Sequence, residues 1–239
     1  MDRRQRVDQW LQRAGFLLLA PTCVLCGATG MRGQDLCAAC AQALPFNLVC
    51  CPICALPLAF PAPACARCLR RMPAHTSAYV PLRYEAGVRM LVPRYKFGAD
   101  LAVGRVLADI LATAVCAAPR PDLLAPVPLH RSRLRERGFD QAWELCRALA
   151  RTLDLPARAD ALQRIRATRA QTGLDAASRR RNVRAAFAAG SAVAGLHIAL
   201  VDDVVTTGAT IGAAARVLRQ AGAARVDIWA VARAPLGRR

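Results

Sequence analysis

At 239 residues, 55% of them hydrophobic, the chain is long enough for one ordinary domain and one small one. It holds no run of eighteen apolar residues, which excludes a transmembrane helix and gives no expectation of membrane insertion. The formal net charge is +18, from 34 basic residues of which one alone, Lys96, is lysine; so complete a bias reflects composition, and charge by itself is weak ground for a nucleic-acid partner.

The first residues place arginines before Phe16–Ala20, a faint imitation of a signal peptide. The apolar stretch is too short and runs into a cysteine motif, so the expectation is a cytoplasmic protein. Val7 to Leu19 reads better as an amphipathic helix, with Val7, Trp10, Leu11, Ala14, Leu17 and Leu18 on one face. Residues 1–20 are taken as this N-terminal segment.

Residues 21–72 form a second unit, defined by cysteine. Eight of the eleven cysteines lie in four CxxC pairs: Cys23/Cys26, Cys37/Cys40, Cys51/Cys54 and Cys65/Cys68. A shift of 28 residues carries the first two pairs onto the last two, so CxxC-x10-CxxC occurs twice. Each CxxC puts two thiolates on one tight turn, and two such turns close a tetrahedral zinc site. Two Zn2+ ions are therefore expected, either in tandem ribbons or in a cross-braced arrangement of first pair with third and second with fourth. Two four-thiolate zinc sites would lower the net charge to about +14. Disulfides would need an oxidising compartment, and a redox role would want one CxxC at a helix start. Cys50 could stand in for Cys51, but only Cys51 keeps the gap to Cys54. Cys116 and Cys146 fall in helical patterns and read as small core residues. His75, His130 and His197 are scattered and read as structural or solvated.

Residues 73–239 alternate strand and helix patterns. Ala78–Tyr84 reads as a strand. Gly87–Phe97 reads as a helix that Pro93 should break or kink near Val92. Leu101–Val115 is an amphipathic helix and Leu123–Pro128 a buried strand. A basic loop, LHRSRLRERGFDQA, leads to a helix from Gln141 to Leu153. A polar, arginine-rich stretch spans residues 164–184. After the strand beginning at Ile198 come a helix, Ile211–Ala221, stopped by Gly222, and a last strand, Arg225–Ala232. This alternation means a parallel α/β sheet flanked by helices.

The most informative stretch is IALVDDVVTTGAT, Ile198 to Thr210. Four apolar residues lead to Asp202 and Asp203; Val204 and Val205 follow, then Thr206, Thr207, Gly208, Ala209 and Thr210. An apolar strand that ends in two acids and a Thr/Gly loop before a helix places them where open α/β sheets bind ligands. Backbone N–H groups and hydroxyls at a helix start suit a phosphate, and adjacent carboxylates suit vicinal hydroxyls or a Mg2+ bound to them. Together they ask for a ribose 5-phosphate. An ordinary βα turn would explain a lone GxT, but not the whole pattern.

This stretch resembles the 13-residue phosphoribosyl pyrophosphate (PRPP) signature of type I phosphoribosyltransferases, and every position fits. The resemblance implies that Asp202 and Asp203 contact the ribose 2- and 3-hydroxyls and that Thr206 to Thr210 wrap the 5-phosphate. The order of parts resembles the ComF family, competence-associated phosphoribosyltransferase-like proteins with an N-terminal double zinc ribbon. Matching pieces are KFG at Lys96–Gly98, VPL at Val127–Leu129, RGFDQA at Arg137–Ala142 and TxxQ at Thr168–Gln171; Leu174, Arg181, Asn182 and Phe187 continue the match. Pro93 and Asp140, where the family usually has Asn, depart from it.

The chemistry that the resemblance implies, displacement of pyrophosphate from ribose C1, needs Mg2+ and donors on the leaving group. Arg131, Arg133, Arg135 and Arg137 follow a strand end and occupy the place of the pyrophosphate loop; residues 164–184, with Arg179–Arg181, occupy the place of the lid. The alternative for both is a solvated charge run or DNA-backbone contacts, and the strand end beneath the first segment favours pyrophosphate there. Lys96 is expected to face the PRPP cleft and touch a phosphate or Asp203, since a compact ammonium was kept where arginine is the rule. Three function classes follow: a Mg2+-dependent phosphoribosyltransferase acting in DNA uptake or nucleotide salvage on an unidentified acceptor, a zinc-ribbon accessory protein that binds single-stranded DNA, and a PRPP-sensing regulator. Proteins of the competence machinery are the partners implied. The acceptor pocket is unreadable, because type I enzymes build it from a variable hood; the ribbons are expected in the hood's place.

Overall fold

In the computed structural model, residues 20–165 and 186–235 are described. The expected helix Val7–Leu19 and most of the expected lid lie outside them. Of the ComF-like pieces, Thr168, Gln171, Leu174, Arg181 and Asn182 also lie outside.

Two short helices, α1 (Ala38–Gln42) and α2 (Ala66–Arg70), start within the second knuckles of the two cysteine repeats, with Cys37 and Cys65 as their N-caps and Cys40 and Cys68 inside them. The sheet then begins with β1 (Ala78–Tyr79) and β2 (Leu82–Arg83). Next come α3 (Val88–Gly98), α4 (Leu101–Val115), β3 (Leu123–Pro126), α5 (Arg131–Arg137) and α6 (Gln141–Leu153). A small antiparallel pair, β4 (Leu162–Arg164) and β5 (Phe187–Ala189), brackets the arginine-rich stretch. The chain closes with β6 (His197–Val205), α7 (Ala209–Gln220) and β7 (Arg225–Arg233).

The main sheet is parallel throughout. Its order is β1, β7, β6, β3, with β2 continuing the edge beside β7. Both faces are covered, which is why β6 and β7 are near-continuous apolar runs. Leu124, Ala199, Val201, Trp229 and Val231 meet α3, α4 and α6 in one core. Leu123, Ala125, Ile198, Leu200, Val226 and Ile228 meet α7 and the β4–β5 pair in the other.

The helix expected at Leu101–Val115 has those bounds, and Asp100 caps it by accepting from the Val103 N–H at 3.1 Å. Four expectations need correction. Ala78–Tyr84 is not one strand: it parts at Val80–Pro81, where proline has no N–H for the ladder, and the Pro81 carbonyl accepts from the Asn47 N–H at 2.7 Å instead. Pro93 does not break α3, which runs unbroken from Val88 to Gly98. Proline costs this helix one intrahelical bond at its middle, and burial of Val88, Leu91, Val92 and Tyr95 outweighs it. The basic loop is not all loop: Arg131–Arg137 is helical, with His130 accepting from the Ser132 N–H and Gly138 left-handed (φ 76°) at its end. Cys116 is exposed at the end of α4 rather than in the core, whereas Cys146 is buried as expected.

Asp140, the departure from the family's Asn, caps α6. It accepts from the Trp143 N–H at 3.1 Å, a role either side chain can fill. At the opposite end of the sheet, Asp227 is fully buried. It pairs with His197 Nε2 at 2.9 Å and Arg225 at 3.0 Å and accepts from the Ser77 N–H, which ties β7, β6 and the edge together far from the carboxyl ends.

Candidate functional site

The two cysteine repeats form two separate clusters. Cys23, Cys26, Cys37 and Cys40 make one; Cys51, Cys54, Cys65 and Cys68 make the other, with the sulfurs of each within 4.8 Å of one another. Each ribbon therefore uses its own two knuckles, and the cross-braced alternative is set aside. The Cys26–Cys37 and Cys54–Cys65 sulfurs lie 3.7 and 3.6 Å apart. A disulfide would bring them to about 2.05 Å. Tetrahedral zinc, with Zn–S near 2.3 Å, sets its sulfurs about 3.8 Å apart. The donor sets thus fit two structural zinc ions. Cys50 stands outside, in an isolated bridge to Pro57.

Asp202 and Asp203 sit at the carboxyl end of the central strand β6, opposite Ala230 and just before Ala232 of β7. Their carboxylates accept from the Asp203 and Val204 N–H groups at 2.9 and 2.6 Å. Lys96 Nζ reaches from α3 to Asp203 Oδ2 at 2.9 Å, with the carboxylate side chain only 4% exposed. That is one of the two contacts expected of the chain's single lysine. Burial, and next the Asp203 carboxylate, push the Asp202 carboxyl above the ordinary carboxylate range, against the pull of Lys96. Val205 is buried and Val204 half-buried; Thr206 and Thr207 are exposed, and Gly208, left-handed at φ 75°, starts α7 at Ala209 and Thr210. The Thr207 hydroxyl accepts from the Ala209 N–H.

α3 locks onto the RGFDQA segment. The Tyr95 hydroxyl donates to the Gln141 carbonyl at 2.9 Å, its ring meets Phe139 edge-on at 5.8 Å, and the Arg137 guanidinium lies 4.9 Å from the Phe97 ring. Gly104 of α4 leaves the room this requires, since a Cβ there would come within 2.7 Å of the Tyr95 ring. Two motifs more than forty residues apart in sequence thus hold Lys96 at the acid pair.

The four arginines of the first basic segment are less uniform. Arg135 is exposed and Arg133 and Arg137 are half-buried, while the Arg131 side chain lies outside the described residues. Burial, and next the charge of Arg133, pull the Arg164 guanidinium below its ordinary value, opposed by Asp202, so β4 brings a cation near the acids. A Mg2+ ion takes oxygen donors and is held by one or two carboxylates plus substrate phosphates. Two adjacent carboxylates, one already balanced by Lys96, fit an ion that arrives with a phosphorylated ligand.

Three residues at this site carry no clear mark in the sequence. Arg164 lies at the edge of the arginine-rich stretch. Arg67 is one of several arginines around a knuckle. Arg233 has the best signal: a charge ending the apolar run of β7 must be paired if buried, and it is 1% exposed.

A model of the double zinc ribbon domain matches residues 16–69, and one of the phosphoribosyl transferase domain matches residues 140–239. "DNA utilization protein YhgH" of Salmonella typhimurium is 37% identical over 204 residues, 83% of this chain and 90% of that protein. Its Escherichia coli K12 namesake is 34% identical over 225 residues, 91% and 99% of the two chains. "Competence protein F" of Haemophilus influenzae is 32% identical over 222 residues, 89% and 96%. Among solved structures, that of the allosteric regulatory enzyme of purine biosynthesis overlays 53% of this chain at 24% identity and a TM-score of 0.38; the chain spans a quarter of that protein's length. Relatives this similar along nine tenths or more of their length, together with the double zinc ribbon and phosphoribosyl transferase matches of this chain, place it in the ComF family of competence-associated phosphoribosyltransferase-like proteins.

Proposed function

We propose that this chain binds PRPP with Mg2+ and acts as a phosphoribosyltransferase on an acceptor used in DNA uptake or nucleotide salvage. One observation carries the reading: Asp202 and Asp203 stand at the end of β6 beside the Thr206–Thr210 loop, with Lys96 on Asp203 at 2.9 Å. The carboxylates take the ribose 2- and 3-hydroxyls. The loop hydroxyls and the N–H groups at the start of α7 take the 5-phosphate. Asp202 and Asp203 would hold Mg2+ through the ribose hydroxyls, and the ion would supply charge to the leaving pyrophosphate. Lys96 balances Asp203. Arg131, Arg133, Arg135 and Arg137, after β3, offer the cations that a departing pyrophosphate needs.

Calorimetric titration with PRPP and Mg2+, followed by a nucleobase screen for pyrophosphate release, tests the reading. Binding is expected in the parent and its loss in an Asp202→Asn, Asp203→Asn double variant that keeps its fold. Equal affinity in the double variant would sink it. Binding without release across the screen would favour a PRPP sensor.

The names of the relatives, a DNA utilization protein and a competence protein, favour a second reading: the arginine-rich surface, Arg70 and Arg71 on the second ribbon among it, binds single-stranded DNA. Such binding is electrostatic and should fall steeply between low and physiological salt. A flat salt response would argue against it.

A further inference from the structure

The Thr206–Thr210 loop is held from outside its own strand and helix. Arg233, at the end of β7, donates from Nη1 to the Val205 carbonyl at 2.9 Å, to the Ala234 carbonyl at 2.7 Å and to the Thr206 carbonyl. Its Nε donates to the carbonyl of Cys54, in the first knuckle of the second ribbon, at 3.1 Å. Arg67, on α2 of that ribbon, donates from Nη2 to the Thr207 carbonyl at 2.6 Å. Three successive carbonyls, Val205, Thr206 and Thr207, therefore face guanidinium groups.

The peptides here are trans, and in a trans peptide the carbonyl and the following N–H point in opposite directions. Holding these three carbonyls turns the Thr206, Thr207 and Gly208 N–H groups away from the arginines. Those three N–H groups have no partner among the described residues. Left to rotate, the Thr207–Gly208 peptide would be the least constrained of the three, because glycine tolerates either orientation. Among the described residues Arg67 is its one hydrogen-bond restraint from outside the loop, and Nη2 lies 3.6 Å from the position a Gly208 Cβ would take.

We propose that the second zinc ribbon is a working part of the phosphate subsite, with Arg67 as a positioning residue. Arg67 fixes the Thr207–Gly208 peptide so that its N–H meets the 5-phosphate, and the Cys51–Cys54 knuckle, through the Cys54 carbonyl and Arg233, steadies the two peptides before it. The ligand class is the phosphomonoester of a ribose 5-phosphate. The inference rests on reading this loop as the 5-phosphate site and adds the ribbon to it. The first ribbon has no counterpart: the residue 28 positions before Arg67 is Ala39.

Three ligands separate this role from simple docking of the ribbon. Ribose 5-phosphate engages the loop alone, PRPP engages loop and leaving-group site, and magnesium pyrophosphate bypasses the loop. Each is titrated by calorimetry into the full chain, as parent, Arg67→Ala and Arg67→Lys, with zinc content measured alongside. Arg67→Ala should weaken ribose 5-phosphate and PRPP alike, by about tenfold for one lost charged hydrogen bond, and leave magnesium pyrophosphate and zinc content unchanged. Arg67→Lys should recover part of the loss. Unchanged affinity for the first two ligands, or an equal loss for all three, overturns the role of Arg67. A parent protein that binds neither PRPP nor ribose 5-phosphate removes the phosphate reading itself, and this inference with it.

Discussion

The first ribbon, around Cys23, Cys26, Cys37 and Cys40, and the second, around Cys51, Cys54, Cys65 and Cys68, share one spacing and meet the rest of the molecule differently. In the first, Cys26 is exposed and only Cys23 is buried. It lends Cys23, Leu36 and Leu44 to the core on the α3–α4 side, and it is pinned by Arg105 to Asp35 at 2.8 Å and by Arg94 to the Val24 carbonyl. In the second, Cys51, Cys65 and Cys68 are all buried. It joins the edge of the sheet through the Ala78 N–H to the Pro52 carbonyl at 2.9 Å, and it reaches the signature loop through Arg67 and the Cys54 carbonyl. Equal cysteine spacing gives each ribbon four sulfurs close enough to hold one tetrahedral metal. What each ribbon does for its neighbours is set by the residues between the cysteines, where the repeat does not hold.

The largest expected effect comes from removing one metal ligand at a time. Cys68→Ser should lower zinc from about two to about one per chain and abolish PRPP binding, since metal-binding energy in so small a unit is folding energy. Cys26→Ser should lose the same amount of zinc and keep most of its PRPP affinity, because among the described residues the first ribbon meets α3 and α4 rather than the signature loop. Metal analysis with calorimetry reads both; equal PRPP losses would erase the contrast.

Arg233→Met comes next. It strips several buried carbonyls of their donor and should cost about 3 kcal/mol in denaturant unfolding. Arg105→Ala, which frees the first ribbon's partly exposed pair with Asp35, should cost about 1 kcal/mol. A larger cost for Arg105→Ala would mean that the first ribbon is the more deeply coupled of the two.

Lys96→Arg probes the contact by which α3, on the first ribbon's side, meets the acid pair. α3 packs under that ribbon, with Gly87 so close to Leu25 that a Cβ would sit 3.1 Å from its side chain, and it carries Lys96 to Asp203. PRPP affinity should fall about tenfold, the cost of one misfitted charged contact. Unchanged affinity would remove Lys96 from the site.

The smallest effect is a pH dependence on the second ribbon's side. Burial pulls the His75 imidazole from 6.5 down to about 4. The unfolded chain then binds the extra proton between those values, so the contribution to stability is whole above about 6.5 and lost as pH falls towards 4. Unfolding free energies at pH 7.5 and 5 should differ less in His75→Leu than in the parent. An identical difference would show that His75 stays neutral in both states or charges freely in both.

Much of the frame was legible because local patterns and tertiary demands agree. Leu101–Val115 has an apolar face, an aspartate cap and no competing partner, and its bounds came out as read. The β6–loop–α7 unit was equally plain, since an apolar strand ending in acids and a Thr/Gly turn has few other uses. Misreadings fell where a distant segment outweighed a local rule. Pro93 should stop a helix, but four buried side chains hold α3 against the sheet and α4. Ala78–Tyr84 alternates like a strand, but Pro81 and the ribbon linker at Asn47 divide it.

Sequence alone determined the eight repeat cysteines, the alternation of strand and helix and the place of the acid pair, because each depends on spacing over a few residues. Only the tertiary structure decided that the ribbons are tandem, that Lys96 meets Asp203, and that Arg67 and Arg233 grip the signature loop. Arg67 and Thr207 are 140 residues apart. No local periodicity records a contact of that span; it exists because the sheet's edge and the second ribbon pack together and leave a guanidinium beside a carbonyl.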